Sequence, residues 1–238
     1  MYSPRPGWTV RLVAVTAAAA ASLAAVAGTA AATPGHRVFH GHNHEGGNWG
    51  GYVSSGDFTT ATASWIEPAV TCNSSEEIVS PWVGIDGDGS STVEQTGVDT
   101  DCYGGEPFKR VWYEMYPGDS VYYPADETPV DAGDRITATV TRSGDDYRLD
   151  ISDTTKGWTK STTQTLNAQH ISAEAVIESP SGSYPSISGD IEFSGVRFDG
   201  RNLADADPQR LDADDNGRGT FSPSDIGSDG QSFSMSRH

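Results

Sequence analysis

From Asn48 onward, the chain consists of short apolar runs separated by turns rich in Gly, Asp, Ser and Pro. In residues 135–141, Ile136, Ala138 and Val140 alternate with Arg and Thr. A period of two is typical of a β-strand with one face on a core and the other in water. Similar runs, among them "DFTTATASWIEP", "FKRVWYEMYP" and "DIEFSGVRF", recur along the chain. The pattern therefore predicts an antiparallel all-β protein.

A β-sandwich is the economical architecture for so many short strands, because they must stack or close to cover their apolar faces. The window "LNAQHISAEAVIES" is the only one that is compatible with a helix. We predict residues 172–179 as a strand, since all of its neighbours are strands.

The first residues predict export. Arg5 and Arg11 precede an uncharged run over residues 12–27 that ends in small residues at 30–32. This is the pattern of a secretory signal peptide; the alternative, a membrane anchor, lacks a positively charged stop-transfer segment. We predict a signal peptide over 1–32, a short flexible Gly/His-rich leader over 33–47, and a single β-sandwich domain over 48–238. The mature protein is expected to be secreted, extracellular and free of the membrane.

The charge balance limits the kinds of partner that the protein can bind. The chain has 15 Lys+Arg against 33 Asp+Glu, a formal net charge of −18 at pH 7. Such a surface repels nucleic acid and anionic lipid, so we expect no nucleic-acid partner. In acid the carboxylates protonate, and self-repulsion falls.

The two cysteines, Cys72 and Cys102, predict one disulfide, since an even count in an oxidising compartment indicates pairing. The bridge would close a loop around Gln95. On the chain-entropy model it would stabilise the fold by about 3 to 4 kcal/mol.

Two segments resemble metal sites only in part. His40, His42 and His44 alternate in the leader, but scattered histidines in a disordered segment are the simpler interpretation. Asp212 and Asp214 stand at calcium-loop spacing with Asn216. The twelfth position of that loop is Pro223 where a bidentate Glu belongs, so we predict a solvated acidic turn, with a weak Ca²⁺ site as the alternative. No metal or cofactor is predicted.

The sequence lacks the familiar catalytic motifs. It contains no "GxSxG", no "HExxH" and no Asp-Thr-Gly or Asp-Ser-Gly pair, and His170 is the only histidine of the domain outside the C-terminus. Carboxylates, amides and tryptophans remain as candidate catalytic groups.

Several blocks occur in a fixed order over residues 48–198: "NWGG" at 48–51, "WVGID" at 82–86, "QTGVD" at 95–99, "WYEMYP" at 112–117 and "AEAVIE" at 173–178. Together they resemble the glutamic peptidases, also called eqolisins or peptidase family G1. The short leader is typical of a bacterial-type member. The resemblance implies a sandwich of two long curved antiparallel sheets, concanavalin-like or jelly-roll-like, with a substrate cleft on one face.

The resemblance also implies the chemistry. The catalytic pair of the family carries over to Gln95 and Glu178, and the backbone N–H of Gly51 carries over as a second oxyanion donor. Glu178 would act on water as general base and then as general acid, and Gln95 would stabilise the oxyanion, without a covalent intermediate. An ordinary glutamate titrates near about pH 4.3, which favours acid-range activity, although desolvation in a cleft would raise the pKa of Glu178 and shift the optimum upward.

Other residues fall on positions that the family places around the cleft: Trp49, Trp82, Asp86, Asp99 and Glu114. The aromatics would form walls and the acids would position the pair, but sandwich core is an equally good interpretation of each tryptophan. Glu174 lies four residues before Glu178 and faces the same side of a strand, which makes it the rival base. Glu94 is expected to point away from Gln95 into solvent.

Two departures from the family pattern and two rival functions stay open. Between Trp82 and Gln95 the chain is one residue shorter than fungal members, and Ala175 replaces a tryptophan, which would reshape the cleft. The expected function is a monomeric endopeptidase acting on proteins and peptides. The first rival is a β-sandwich glycoside hydrolase that uses Glu114 and Glu178. The second is a non-catalytic carbohydrate- or protein-binding sandwich.

Overall fold

The computed structural model describes residues 47–238. Its strands, in chain order, are β1 (Trp49–Ser55), β2 (Thr60–Ile66), β3 (Val70–Thr71), β4 (Ile78–Asp86), β5 (Val93–Asp101), β6 (Phe108–Tyr116), β7 (Val121–Tyr122), β8 (Arg135–Ser143) and β9 (Asp146–Asp153). They continue with β10 (Trp158–Thr165), β11 (Ser172–Glu178), β12 (Ser186–Ile187), β13 (Ile191–Phe198), β14 (Arg201–Asn202), β15 (Pro208–Leu211), β16 (Ala213–Asp214), β17 (Thr220–Pro223) and β18 (Phe233–Arg237). Short 3₁₀ helices occur at Tyr103–Gly105 and Leu203–Asp205.

The strands form two large antiparallel sheets. The seven-stranded sheet has the order β15-β1-β11-β4-β5-β6-β7, and the nine-stranded sheet has the order β10-β9-β8-β2-β13-β18-β17-β16, with β14 paired to β13. Strands β12 and β3 make a separate small sheet. The prediction of an all-β sandwich is confirmed, and the helix-compatible window contains β11, as predicted.

The main core lies between the two large sheets. In β8 and β9 buried and exposed positions alternate, as the period of two predicts. Their inward side chains, such as Val140 and Leu149, pack with Val83 and Ile85 of the opposite sheet. In contrast, every residue of β4, β5 and β11 is buried, so these central strands are covered on both faces.

The second face of the seven-stranded sheet carries a smaller apolar cluster. Its members are Trp49, Val53, Trp82, Val93, Trp112, Val176 and Leu211, with Tyr116 and Tyr122 packed against them. We call this surface the tryptophan face. Trp65 belongs instead to the main core. Trp49 and Trp82 are also buried, within this second cluster.

The disulfide between Cys72 and Cys102 is formed, with Cα atoms 5.5 Å apart, as predicted from the cysteine count. It ties the segment after β3 to the end of β5. The predicted signal peptide and the His40, His42 and His44 group lie outside the described residues, as does the predicted leader apart from Gly47.

Candidate active site

The strand register places Gln95, Glu114 and Glu178 on the tryptophan face. Gln95 lies opposite Glu114 across β5 and β6, and opposite Gly84 across β4 and β5. Gly84 in turn lies opposite Glu174, which is four residues before Glu178 on β11. Directly paired residues share a face, and so do residues an even number apart on one strand. The two members of the predicted pair therefore lie on the same side of the sandwich.

Gln95 is held by a buried carboxyl group. Its Nε2 donates to Oε2 of Glu114 at 2.6 Å, and the other oxygen of Glu114 accepts from the Ser120 hydroxyl at 3.1 Å. Gln95 is 1% exposed, and its Oε1 has no hydrogen-bond partner in the described part of the chain. An amide nitrogen has two N–H groups, so one donor of Gln95 remains for a ligand while the other fixes its orientation.

Glu178 is held by two neutral N–H donors. Asn48 Nδ2 donates to Oε1 at 2.9 Å, and Trp82 Nε1 donates to Oε2 at 3.1 Å. Trp49 lies opposite Glu178 across β1 and β11, and its ring meets Trp82 edge-on with centroids 4.6 Å apart. The Trp49 indole also favours the charged carboxylate electrostatically, although it lies outside hydrogen-bond geometry. None of these donors changes charge between acid and neutral pH.

Burial dominates the electrostatics of this group. The pKa of Glu178 is raised to about 8, mainly by burial and then by the nearby Glu114 carboxylate, against the Trp82 and Trp49 N–H groups, which lower it. Burial also raises the pKa of Glu114 to about 8, against hydrogen bonds from Ser120 and Gln95. The electrostatic interaction of Glu114 with Glu178 links the pair through the same carboxyl that holds Gln95. The upward shift that desolvation was expected to cause is present.

Asp99 lies on the same face but is engaged with other groups. Its Oδ2 accepts from the Tyr122 hydroxyl at 2.8 Å and lies 3.8 Å from Arg110. Arg110 also pairs with Asp101 at 3.0 Å and stacks over the Tyr122 ring at 3.9 Å. The charge of Asp99 raises the pKa values of both Glu114 and Glu178, so Asp99 acts on the pair electrostatically.

Asp86 and Glu174 gather at the start of β11, away from Glu178. Asp86 has a φ of 68° and accepts from the backbone N–H groups of His170 and Ile171 at 2.8 and 2.7 Å. Glu174 is fully buried and accepts from the Ser172 hydroxyl. Burial, followed by the charges of Asp86 and other acids, raises the pKa of Glu174 well above its usual value. Four strand residues span about 13 Å, so Glu174 and Glu178 occupy different places on the sheet.

Two sequence expectations about side-chain direction are corrected. Glu94 does point away from Gln95, but it is 0% exposed and lies between the sheets beside Tyr147, not in solvent. Ala175 lies opposite Val83 and Tyr52 in the main core. The replacement of a tryptophan at position 175 therefore changes the core and not the tryptophan face.

Two glycines allow close packing at the tryptophan face. Gly51 has a φ of +142°, and an added Cβ would lie 2.5 Å from the carbonyl oxygen of Ala175. At Gly84 a Cβ would lie 2.8 Å from the Trp82 ring and 3.2 Å from Cβ of Gln95. Gly84 thus leaves room for both Trp82 and Gln95, whereas Gly51 lets β1 approach β11 closely.

The acidic turn after β16 is held by ion pairs inside the fold. Asp215, flanked by the predicted calcium-loop residues, is fully buried and pairs with Arg218 at 2.9 Å and Arg237 at 2.6 Å. The residues named in the predicted turn are half-buried (Asp212 and Asp214) or exposed (Asn216 and Gly217), while Asp215 between them is buried. Within residues 47–238 no group of three or more His, Cys, Asp or Glu side chains is placed to hold a metal ion.

Sequence reasoning missed Asn48 and Tyr184. Asn48 was part of the "NWGG" block but was assigned no role, and its contact with Glu178 spans 130 positions of sequence. Tyr184 donates its hydroxyl to the Asn48 carbonyl at 2.8 Å. The one sequence signal for Asn48 was its position next to Trp49. The sequence contained no signal for Tyr184.

Comparisons with known proteins agree with this fold. The model of the peptidase A4 family matches residues 47–219. Scytalido-glutamic peptidase, solved with a transition state analog inhibitor, aligns with a TM-score of 0.68 and 26% identity, covering 81% of this chain and 98% of that one. Aspergilloglutamic peptidase from Aspergillus niger aligns with a TM-score of 0.54 at 23% identity, covering 68% of this chain and 100% of that one, which supports the fold alone.

Sequence relatives match over a shorter stretch. Aspergillopepsin-2 of Aspergillus niger is 38% identical over 39% of this chain and 40% of its own length, and scytalidopepsin B of Scytalidium lignicola is 37% identical over 41% and 36%. The chain thus spans well under half the length of the curated relatives it matches. The family match covers most of the described residues, and the chain belongs to the peptidase A4 family.

Proposed function

We propose that this protein is a secreted endopeptidase that hydrolyses peptide bonds in proteins with Gln95 and Glu178 as its catalytic pair. The observation that carries the proposal is the arrangement of Glu114, which accepts from Gln95 and interacts electrostatically with Glu178 on one sheet face. Family membership and the fold shared with scytalido-glutamic peptidase support the reaction class. The formed disulfide supports an oxidising, extracellular location. None of the helices among residues 47–238 is long and apolar enough to span a membrane.

Gln95 stabilises the oxyanion of the tetrahedral intermediate. Glu114 fixes one N–H of the Gln95 amide, and the second N–H is available to the substrate carbonyl oxygen. A preorganised donor of this kind is worth about 100- to 1,000-fold in turnover. The Gly51 backbone N–H is the proposed second donor.

Glu178 moves the proton. Its ionised carboxylate removes a proton from the attacking water, and the resulting carboxylic acid delivers that proton to the leaving amine, so the side chain returns to its starting state. Because burial and Glu114 raise its pKa to about 8, the ionised base becomes abundant only as the pH rises toward neutrality. The acidic limb of the pH–rate profile is therefore expected above the ordinary glutamate value near about 4.3.

The substrate is a polypeptide. Scytalido-glutamic peptidase has been solved with a peptide-based transition state analog, and the eqolisin SCP-B with the tripeptide Ala-Ile-His. In this chain Trp49, Trp82 and Trp112 belong to the tryptophan face, on which Gln95 and Glu178 also lie.

The test is cleavage of an unfolded protein between pH 3 and 9 by the wild type and by Gln95→Ala and Glu178→Gln. Gln95→Ala is expected to lose about 100- to 1,000-fold in kcat/KM, and Glu178→Gln about 100- to 10,000-fold. Gln209→Ala and Glu192→Gln make the same chemical changes at exposed positions and should retain full activity. Cleavage should resist pepstatin-type, thiol-directed and chelating inhibitors.

Two results contradict the proposal. If Gln95→Ala keeps its activity and the protein hydrolyses a polysaccharide, then Glu114 and Glu178 form a glycosidase pair. If no peptide is cleaved at any pH while folded protein binds a saccharide or a protein, the sandwich is a binding module.

A further inference from the structure

Glu178 is connected to a distant part of the chain through Asn48. The Asn48 amide donates to Oε1 of Glu178, while its carbonyl oxygen accepts from the Tyr184 hydroxyl at 2.8 Å and from the Ser179 backbone N–H at 3.2 Å. Asn48 is thus fixed on its main chain by two donors and presents its side chain to the carboxylate.

Tyr184 is itself fixed by the acidic turn after β16. Its backbone N–H donates to Oδ1 of the buried Asp215 at 2.9 Å, and its ring packs on Phe221 with centroids 4.6 Å apart. The charge of Asp215 is balanced by Arg218 and Arg237. Asp215 has its negative charge matched inside the fold, so it serves as a stable anchor for the Tyr184 segment.

The same turn also holds the residue before Asn48. Gly47 forms a parallel bridge with Ala213, and its carbonyl oxygen accepts from the Asp214 backbone N–H at 2.7 Å. Residues 213–215 therefore hold Asn48 from two directions, through Gly47 and through Tyr184.

We propose that Asn48 is a positioning residue for Glu178, and that Tyr184 and Asp215 hold Asn48 in place for this purpose. The proposal rests on the proposed function, since it assigns Asn48 a part in the work of Glu178. A carboxamide suits that part because it can donate through Nδ2 to an ionised carboxylate and accept through Oδ1 from a protonated one. Trp82, the donor to the other oxygen, can only donate.

Several titratable groups near Glu178 also affect its pKa, so a test of Asn48 must leave them unchanged. The titratable groups that face Glu178 are Glu114 from β6, Asp99 from β5 and Tyr184 after β11, and Arg110 pairs with Asp99. Asn48 is uncharged, so Asn48→Ala leaves these charges unchanged. A change in the titration of Glu178 then reports the loss of the Asn48 contact.

The experiment compares Asn48→Ala and Asn48→Asp with the wild type. Loss of a donor to the charged form, or a new carboxylate beside it, favours the protonated form of Glu178. The acidic limb of kcat/KM should therefore move upward, by about 1 pH unit in Asn48→Asp and by less in Asn48→Ala. We expect kcat to fall about 10- to 100-fold in both variants with little change in KM. Asn167→Asp adds the same charge at an exposed site in the loop before β11 and should leave the profile in place.

A milder variant tests the support of Asn48. Tyr184→Phe keeps the ring that packs on Phe221 and removes only the hydroxyl that holds Asn48. It should lower kcat by about 3- to 10-fold, with the same thermal midpoint to within a few degrees. Wild-type kcat in Tyr184→Phe would refute this part of the proposal.

A readout besides activity separates this proposal from the proposed function. The titration of the Glu178 carboxyl carbon, followed by NMR in ¹³C-labelled protein and assigned by its loss in Glu178→Gln, should move upward in Asn48→Ala, which introduces no new charge. An unchanged titration together with an unchanged pH–rate profile would overturn the role of Asn48. Retained cleavage by Glu178→Gln would overturn the proposed function instead, whatever Asn48 does.

Discussion

Two buried glutamates on opposite faces of the seven-stranded sheet show how differently a carboxyl group can be accommodated. Glu178, on the tryptophan face, receives a donor on each oxygen, from Asn48 and from Trp82. Glu94, between the sheets, has no hydrogen bond of good geometry on either oxygen from any of residues 47–238, although Thr92, Tyr147 and Asp86 lie near it. Burial raises the pKa of Glu178 to about 8 and that of Glu94 to about 9.

The comparison teaches that a raised pKa alone does not mark a catalytic carboxyl. Desolvation raises the pKa at both sites, because it disfavours the charged form wherever the group is buried. What distinguishes Glu178 is the set of neutral donors that stabilise its ionised form and its electrostatic link to the carboxyl that holds Gln95.

Among the changes that test this difference between Glu178 and Glu94, Glu114→Gln is expected to have the largest effect on kcat/KM. The change removes the carboxylate that orients Gln95, so kcat/KM should fall about 100-fold. It also removes a like charge near Glu178, which lowers the pKa of Glu178 and moves the acidic limb of the profile downward. The measurement is kcat/KM against pH. Glu94→Gln is the matched control, and its pH profile should coincide with that of the wild type. A shift of equal size in both variants would mean that Glu114 and Glu94 do not differ in their effect on the reaction.

The second prediction concerns stability. A carboxyl whose pKa is raised from 4.5 to about 9 binds more protons in the folded state, so the free energy of unfolding falls as pH rises between these values. Glu94 alone contributes a slope of up to about 1.4 kcal/mol per pH unit in that range. Glu94→Gln should flatten this slope and stabilise the protein near pH 8, with little effect near pH 4. Urea unfolding at several pH values checks it; equal slopes for variant and wild type would show that Glu94 titrates normally.

The smallest effect is expected from Ser120→Ala. It removes the donor to the second oxygen of Glu114 and leaves the Gln95 contact intact. We expect about a 3-fold loss in kcat/KM, corresponding to the loss of a modest hydrogen bond. Ser75→Ala, at an exposed position with no such contact, is the control. A loss as large as that of Glu114→Gln would mean that Ser120 has its own role in the reaction.

Local pattern was sufficient for much of the fold. The alternation in residues 135–141 correctly predicted strand β8, and two cysteines correctly predicted the bridge. The candidate site residues in the blocks that resemble the glutamic peptidases lie together on the tryptophan face, because an even spacing along a strand keeps side chains on one side.

The rest depended on pairing that no local pattern encodes. Glu94 follows a turn and precedes Gln95, so it looked solvated, but β5 is covered on both faces and the residue is buried. Asp215 sits in a sequence that resembles a solvated calcium loop, yet two arginines neutralise it in the interior. For Glu94 the deciding contact comes from a layer that the sequence does not reveal. For Asp215 one arginine, Arg218, is only three residues away, and the other, Arg237, lies on β18 near the end of the chain.

The bridge between Cys72 and Cys102 has a practical consequence when a protease cuts this chain. Between the two cysteines lie exposed positions at residues 73–76 and at Gly89 and Ser91, which are natural places for a proteolytic nick. Because the bridge spans 30 residues and encloses both places, a chain cut at either one remains a single covalent molecule. Its fragments would separate on a gel only after reduction, and the strands that carry Trp82 and Gln95 would stay tethered to the rest of the protein.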